Sequence, residues 1–270
     1  MSPRRAVSVV ASVVFLACSS HHASVAKSEG VAVAPPAPPP LPSTSASSSP
    51  VVVTPPSVTI EHEVLPPAEV ERIAVKRDAD ASFVRPVKGK TFRIVFLPGL
   101  CSNAYAYLLA FPEAARSHGG VVAIDGDQPC GDPKSGFHSF TWSPTLQRAR
   151  VEAALAAAEG EAPSDGFVPV GYSAGASIAQ IMHQAWPERF PRLVLIAPPE
   201  DPDPKRLAKA HGVVSMSCRF DVPYRMKAAT SALEKQGTPS IYLEMPGCTH
   251  GNVTEGERLF GEAFDWLLAR

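Results

Sequence analysis

From about Thr59 to the C-terminus, short apolar runs alternate with longer amphipathic stretches. Apolar runs bounded by Gly, Pro or Asp are typical of buried strands, and apolar residues spaced three or four apart are typical of helices. The runs predict edge strands at Glu61–Leu65 and Ser82–Val87, and further strands at Phe92–Leu97, Val121–Asp125, Phe167–Val170, Leu193–Ile196, Val213–Ser217 and Ile241–Met245.

Helical spacing lies between these strands. It predicts helices at Ala104–His118, Thr145–Glu159, from Ala176 onward, Val222–Gln236 and Glu255–Leu268. Strands that alternate with helices predict a mostly parallel central sheet with helices on both faces. In such sheets the active groups gather beyond the carboxyl ends of the strands, so candidate chemistry is expected directly after strands.

The N-terminus has the pattern of an export signal. Arg4 and Arg5 precede the apolar segment Ala6–Ala17, which is too short to span a bilayer. The segment ends at Cys18 in a sequence that resembles a bacterial lipobox, so residues 1–18 are predicted to be a lipoprotein-type signal with Cys18 lipidated. Ordinary signal cleavage after Ala26 is the alternative, and both predict an exported protein.

Residues 19–58 form a Pro-, Ser- and Ala-rich segment. Eleven of the 29 prolines lie between Pro35 and Pro67. This composition cannot bury a core and favours an extended, solvated tether. The folded domain is therefore expected at residues 59–270, with a cell-envelope location.

Composition excludes several function classes. The 270 residues are 45% apolar and carry a net charge of −1, which gives no long-range field for nucleic acid. No metal-ligand spacing occurs in the sequence. Asp125, Asp127 and Asp132 lie close together along the chain and are expected to be loop and turn residues.

The segment Phe167–Gln184 contains the pentapeptide Gly-Tyr-Ser-Ala-Gly, with Ser173 at its centre. A strand, this pentapeptide and a helix form the context of a nucleophile elbow, in which the serine hydroxyl projects above the sheet. Gly171 and Gly175 relieve crowding at the sharp turn. An inert serine in a glycine-rich turn is the alternative.

Three further loops follow predicted strands. After Phe92–Leu97, a glycine turn lets the backbone point N–H groups at a ligand, so Leu100 N–H and Ala174 N–H are the candidate oxyanion donors. After Val213–Ser217, Asp221 is the candidate acid that orients a histidine. The alternatives for Asp221 are a helix N-cap role and competition from Glu200, Asp201 and Asp203.

His250 lies on the last of these loops, after Ile241–Met245, with a glycine on each side of its segment. It is the candidate general base, since it follows the last strand and is free to reach over the sheet. The remaining histidines considered are expected to be structural: His118, His138, His183 and His211.

The order Ser173, Asp221, His250, each after a strand, resembles the α/β-hydrolase family over about residues 92–268. The resemblance implies an eight-stranded, mostly parallel sheet, an acyl-enzyme mechanism and no cofactor. The family often has His-Gly at the oxyanion loop, where this chain has Pro98-Gly99. That change keeps the backbone donor and removes a side chain that contacts substrate.

Cys101, Cys130, Cys218 and Cys248 are an even number in an exported domain, which suggests disulfides. Four cysteines allow three pairings, and the topology of the family implies Cys218–Cys248 and Cys101–Cys130. Buried free thiols are the alternative.

Residues Ala197–Gly212 are too few for a helical lid domain, so an open site is expected. The loop Gly126–Ser143 carries aromatic side chains that either wall a substrate pocket or pack within the loop: Phe137, Phe140 and Trp142, with His138 between them.

These features predict an exported serine hydrolase of carboxylic esters, with a small or polymeric ester as substrate and a membrane anchor at Cys18. Peptidase or thioesterase activity on the same triad is the nearest alternative. A catalytically inactive binding module with a hydrolase fold is the alternative of another class.

Overall fold

The computed structural model describes residues 66–88 and 91–270. The predicted signal, Cys18, the tether 19–58 and the predicted strand Glu61–Leu65 lie outside the described residues. None of the helices in the described ranges has the length and apolar content that crossing a bilayer requires.

An eight-stranded sheet forms the centre of the fold. Its strands are β1 Glu71–Ile73, β2 Ala81–Val84, β3 Ile94–Leu97, β4 Val121–Ala123, β7 Val168–Tyr172, β8 Arg192–Ile196, β9 Gly212–Cys218 and β10 Ser240–Met245. They lie side by side in the order β1-β2-β4-β3-β7-β8-β9-β10. The first two pairings, β1 with β2 and β2 with β4, are antiparallel, and all the other pairings in this sheet are parallel.

In the described part of the chain, six α-helices flank the sheet: α1 Ala104–Leu108, α2 Pro112–Ser117, α3 Pro144–Ala157, α4 Ala174–Ala185, α5 Pro223–Lys235 and α6 Gly256–Leu268. The single helix predicted over Ala104–His118 is wrong, because the chain breaks into α1 and α2. Pro112 stands at the start of α2, where its missing N–H and fixed φ are tolerated, whereas inside a helix it would remove a hydrogen bond.

Two apolar clusters lie on opposite faces of the sheet. One contains side chains of α1, α2 and α6, and the other contains side chains of α3, α4 and α5. Alternate residues of a strand face opposite sides, which is why Val194 and Ile196 of β8 belong to the first cluster while Leu193 and Leu195 of the same strand belong to the second. Burial on both faces explains the continuous apolar runs in the sequence.

The connections that follow the parallel strands all begin at one edge of the sheet, because the strands point the same way. The segment after β4 contains a two-stranded hairpin, β5 Gln128–Pro129 and β6 His138–Ser139, rather than the plain loop expected there. Between β8 and β9, residues 197–211 form turns without a helix, so no lid domain is inserted in this part of the described chain.

Candidate active site

The turn at Ser173 has an unusual backbone conformation. Ser173 has φ 50° and ψ −119°, a region that non-glycine residues seldom occupy and that costs on the order of 1–3 kcal/mol. A Cβ at Gly175 would overlap the carbonyl oxygen of Leu97, and one at Gly171 would overlap the backbone of Ala176. Both elbow positions therefore require glycine, and the tight turn raises the Ser173 hydroxyl above the end of β7.

Ser173, His250 and Asp221 form a continuous hydrogen-bonded chain. His250 Nδ1 lies 2.7 Å from Asp221 Oδ2, and His250 Nε2 lies 3.1 Å from Ser173 Oγ. With the imidazole proton on Nδ1, the ring donates to the carboxylate and accepts from the serine hydroxyl. The side chain of Asp221 is 11% exposed and that of His250 is 49% exposed, so the acid is shielded while the imidazole faces solvent.

Two of the three other candidate acids are engaged elsewhere, and the third, Glu200, is exposed. Asp201 pairs with Arg225 at 3.0 Å, and Asp203 accepts from the N–H of Lys205. The N-cap of α5 is Val222, without a side-chain cap bond, so Asp221 does not cap the helix.

The four histidines expected to be structural are held by other groups, two through the imidazole and two through the backbone. His118 bonds Asp265 and the carbonyl oxygen of Ala114, and buried His183 bonds the carbonyl oxygen of Phe190. Burial lowers the pKa of His183. His138 pairs through its backbone with Ser102, and the backbone N–H of His211 donates to Pro191.

Two disulfides hold the loops of this edge. Cys218–Cys248 joins the end of β9 to the loop after β10, and the N–H of Phe220 donates to the carbonyl of Cys248 at 3.1 Å. Cys101–Cys130 joins the loop after β3 to the β5–β6 hairpin. The loops that carry Asp221 and His250 are therefore cross-linked to each other, and the loop of Leu100 is cross-linked to its neighbour.

The N–H groups of Leu100 and Ala174 lie on the two turns that flank Ser173. Neither donates a hydrogen bond to any group in the described part of the chain. Ala174 begins α4, whose free N-terminal N–H groups and dipole favour negative charge. The Ser102 hydroxyl donates to the carbonyl oxygen of Gly99 at 2.7 Å and thereby braces the turn that carries Leu100.

Tyr172, directly before Ser173, was not singled out by the sequence. Its side chain is fully buried and its ring meets that of His250 edge-on, with 5.5 Å between centroids. Burial raises the pKa of Tyr172 to about 12. The sequence shows an aromatic residue inside the elbow pentapeptide, but it does not indicate that this residue contacts His250.

A cavity of about 350 Å³ adjoins these loops. Cys101 and Ser102 line it from the loop after β3, and Gly251 lines it from the loop of His250. A Cβ at Gly99 would lie 3.3 Å from Ser173 Cβ and 3.5 Å from Ser102 Oγ, so the cavity wall and the serine are neighbours. Its more apolar lining comes from Ala106, Tyr107, Ala110, Phe137 and Val253.

The aromatics of the loop after β4 have different places. Phe137 lines this cavity, Trp142 lines a separate one beside Ile181, and Phe140 is buried in the core. Phe140 is thus a packing residue, as the second alternative has it, and the pocket-wall alternative for Phe137 stays a prediction.

The neighbouring aspartates serve loop structure. Asp125 accepts the N–H of Ala104 at 2.6 Å, and Asp127 accepts the N–H of Thr141 at 2.8 Å. Asp132 accepts the N–H of Lys134. Within residues 66–88 and 91–270, no three His, Cys, Asp or Glu side chains are grouped to hold a metal ion.

Known proteins match the chain in fold and family. The sequence model of the alpha/beta hydrolase family matches residues 94–269. No curated protein matches the sequence.

Among solved structures, FphF of Staphylococcus aureus, a fluorophosphonate-binding serine hydrolase, is similar with a TM-score of 0.54 at 10% identity, covering 75% of this chain and 99% of its own. The hyperthermophilic esterase of Pyrobaculum calidifontis gives 0.53 at 15% identity, with 75% and 85% covered. Carboxylesterase CesB of Bacillus subtilis gives 0.53 at 12% identity, with 75% and 92% covered. At these identities the likeness shows the fold.

Proposed function

Because the chain belongs to the α/β-hydrolase family, we propose that it is an exported serine hydrolase that cleaves carboxylic esters through an acyl-enzyme. The observation that carries the proposal is the chain of hydrogen bonds from Ser173 Oγ through His250 to Asp221, at 3.1 Å and 2.7 Å. A serine hydroxyl is a weak nucleophile until a neighbouring base takes its proton, and this arrangement supplies the base and the group that orients it.

In the proposed reaction, Ser173 Oγ attacks the ester carbonyl carbon while His250 Nε2 takes the hydroxyl proton. The imidazolium is stabilised by Asp221, whose carboxylate already bonds Nδ1–H. When the tetrahedral intermediate collapses, the bond to the alcohol oxygen breaks and His250 returns the proton to that oxygen. A water molecule, deprotonated by His250, then attacks the acyl-enzyme and releases the acid.

The negative charge of each tetrahedral intermediate develops on the former carbonyl oxygen. The N–H groups of Leu100 and Ala174 are the proposed donors to it, since both are unpaired in the described structure and flank Ser173. In known hydrolases, removal of one such donor costs about 3–4 kcal/mol of transition-state stabilisation. Backbone donors need no particular side chain, so Pro98 in place of the family's usual histidine leaves this function intact.

The cavity beside the elbow is the proposed binding site for either the acyl group or the alcohol group of the ester. At about 350 Å³ it falls at the small end of ligand pockets, and two of its lining residues, Ala106 and Ala110, have small side chains. Its lining combines alanine, valine and aromatic side chains with uncharged polar ones, Ser102, Asn103 and Asn252, which favours an alkyl or aryl group over a charged one. Solved neighbours described as esterases support the same substrate class.

Export is proposed from the N-terminal sequence and supported by the disulfides. Proteins that keep structural disulfides generally reside outside the cytoplasm. The proposed organisation is a signal over residues 1–18, a lipid anchor on Cys18, a tether over 19–58 and the hydrolase domain over 59–270. A Cys18→Ser variant should lose incorporation of labelled palmitate and leave the membrane fraction. A mature N-terminus directly after Ala26 would show ordinary cleavage instead.

A panel of acyl donors tests the reaction. We expect turnover of p-nitrophenyl acetate and butyrate to exceed that of a matched thioester and a p-nitroanilide, and Ser173→Ala to lower ester kcat by at least about 10⁴-fold. Ser177→Ala is the matched control, because Ser177 lies one turn along the same helix and is buried. Faster turnover of the thioester or anilide would assign thioesterase or peptidase activity, and no turnover of any donor would favour a binding module.

A further inference from the structure

Tyr172 lies between the turn that carries Ser173 and the loop that carries His250. It is the last residue of β7, and its side chain is fully buried, whereas the next residue, Ser173, is partly exposed. The ring packs against Tyr107, with 5.0 Å between centroids. The phenol points under the loop of His250, which comes from the far end of the chain.

The Tyr172 hydroxyl bonds the backbone of that loop twice. It accepts the N–H of Gly251 at 2.8 Å and donates to the carbonyl oxygen of Asn252 at 3.4 Å. These are the two residues that directly follow His250. The hydroxyl retains its proton throughout the neutral range, since burial raises the pKa of Tyr172 to about 12. Its donor and acceptor roles are therefore both available wherever the enzyme works.

The loop of His250 is held to the sheet edge from both sides. Before the histidine, Cys248 is joined to Cys218 and accepts the N–H of Phe220. After the histidine, the Tyr172 hydroxyl is the contact that reaches the loop from the nucleophile strand. The bond of Thr254 to the carbonyl of Pro246 lies within the loop and does not anchor it to the sheet.

We propose that Tyr172 is a positioning residue that sets the distance between the proposed base and the proposed nucleophile. Its backbone leads into Ser173, and its hydroxyl holds the peptide groups that follow His250, so both groups are located relative to one side chain. This proposal rests on the proposed function. A small displacement of a reacting group can cost about 10²-fold in rate, which is the scale expected when the hydroxyl is removed.

The test compares Tyr172→Phe with Tyr242→Phe. The control removes the same atom from a half-buried phenol on β10, whose hydroxyl bonds Ser217 Oγ at 2.9 Å and, within the described residues, makes no hydrogen bond to the loop of His250. For p-nitrophenyl butyrate we expect Tyr172→Phe to lower kcat about 10- to 100-fold with KM within about twofold, because the substrate cavity is not lined by this side chain. Tyr242→Phe should keep kcat within about twofold. Thermal midpoints of both variants establish that activity is measured on folded protein.

A second readout does not require turnover. The His250 Nδ1 proton, hydrogen-bonded to Asp221, should give a far-downfield proton resonance that His250→Ala abolishes. We expect Tyr172→Phe to broaden or shift that resonance and Tyr242→Phe to leave it in place. An unchanged resonance together with unchanged kcat in Tyr172→Phe would overturn the positioning role. A wild-type protein that shows the resonance but hydrolyses no ester would instead contradict the proposed function.

Discussion

The disulfide between Cys218 and Cys248 joins the loop of Asp221 to the loop of His250. The two cysteines precede these residues by three and two positions, so the cross-link lies close to the bond between acid and imidazole. It closes a loop with a sequence separation of 30 residues. In the chain-entropy model a loop of that size stabilises the folded state by about 3–4 kcal/mol.

We expect the double variant Cys218→Ser/Cys248→Ser to unfold at a lower urea concentration and to lose ester kcat as well. The loss of kcat follows because the acid and the base are then free to move relative to each other. Urea titration measures the stability, and kcat is measured well below the new midpoint. Full activity in the folded double variant would show that the cross-link has no part in holding the site.

The Cys101–Cys130 disulfide provides a natural comparison, because its sequence separation of 29 makes the entropic contribution nearly equal. It differs in exposure: Cys101 lies at the surface, whereas Cys218 and Cys248 are buried. We expect a mild reductant to open Cys101–Cys130 first, since thiol exchange requires access to a sulfur.

Peptide mapping under non-reducing conditions, after alkylation at successive times, checks this order. The partly reduced protein should lose part of its ester kcat, because Cys101 directly follows the proposed oxyanion donor Leu100. Reduction of Cys218–Cys248 first, or simultaneous loss of both, would contradict the expectation.

Ala106 should control which esters are accepted. It lies on α1, is exposed and lines the cavity beside the elbow. We expect Ala106→Phe to fill the cavity and to lower the ratio of kcat/KM for p-nitrophenyl hexanoate over acetate by about tenfold, the scale of one or two methylene groups in an apolar pocket. Leu109→Phe is the control, since Leu109 is exposed beyond the end of α1 and does not line the cavity. If Ala106→Phe and Leu109→Phe both kept the wild-type ratio of kcat/KM, the acyl group would bind outside this cavity.

Asp127 should contribute to acid sensitivity. Burial alone would raise its pKa, but hydrogen bonds from Gln128, Thr141 and Gln147 outweigh burial and hold the pKa of Asp127 well below its usual range. Its stabilising contribution is therefore complete above the unfolded value of about 3.9 and is lost as pH falls below that value toward the folded one.

We expect Asp127→Asn to lower the free energy of unfolding by about 1.5–3 kcal/mol at pH 7, the usual scale for hydrogen bonds to a charged group. The difference from wild type should shrink between about pH 4 and pH 2, as urea titrations at several pH values would show. Asp132→Asn, at an exposed turn, should change stability little at any pH. A difference for Asp127→Asn that stays constant down to pH 2 would be inconsistent with this account.

Much of the sheet was predictable from local pattern. Strands buried on both faces are continuous apolar runs, and their order with the intervening helices fixes a parallel sheet. The same rule places Ser173, Asp221 and His250 at one edge, because each follows a parallel strand. The predicted boundaries differ from the observed ones by a few residues, as for β2, which ends at Val84 rather than Val87.

The break between α1 and α2 was missed for a physical reason. Leu108 and Phe111 keep helical spacing across the break, and both are buried in the same apolar cluster. The ring of Phe111 stacks on Phe260 at 3.9 Å, so tertiary packing preserves the pattern where the backbone turns. Pro112 was the local signal that the helix ends.

The role of Tyr172 was not predictable from sequence. Its hydroxyl contacts backbone groups of residues 79 and 80 positions away. Because nearly every residue has the same backbone groups, the sequence of the His250 loop does not indicate that Tyr172 bonds to it. The cavity beside Ser102 is likewise formed by segments that only the fold brings together.

Labelling with a fluorophosphonate probe tests the central claim most directly, because the probe reacts with a serine only when a base activates it. We predict one covalent adduct, mapped by mass spectrometry to Ser173, formed by the wild type and by Ser177→Ala and absent from Ser173→Ala and His250→Ala. An unlabelled folded wild type, or an adduct on another residue, would contradict the proposal that Ser173 is the nucleophile.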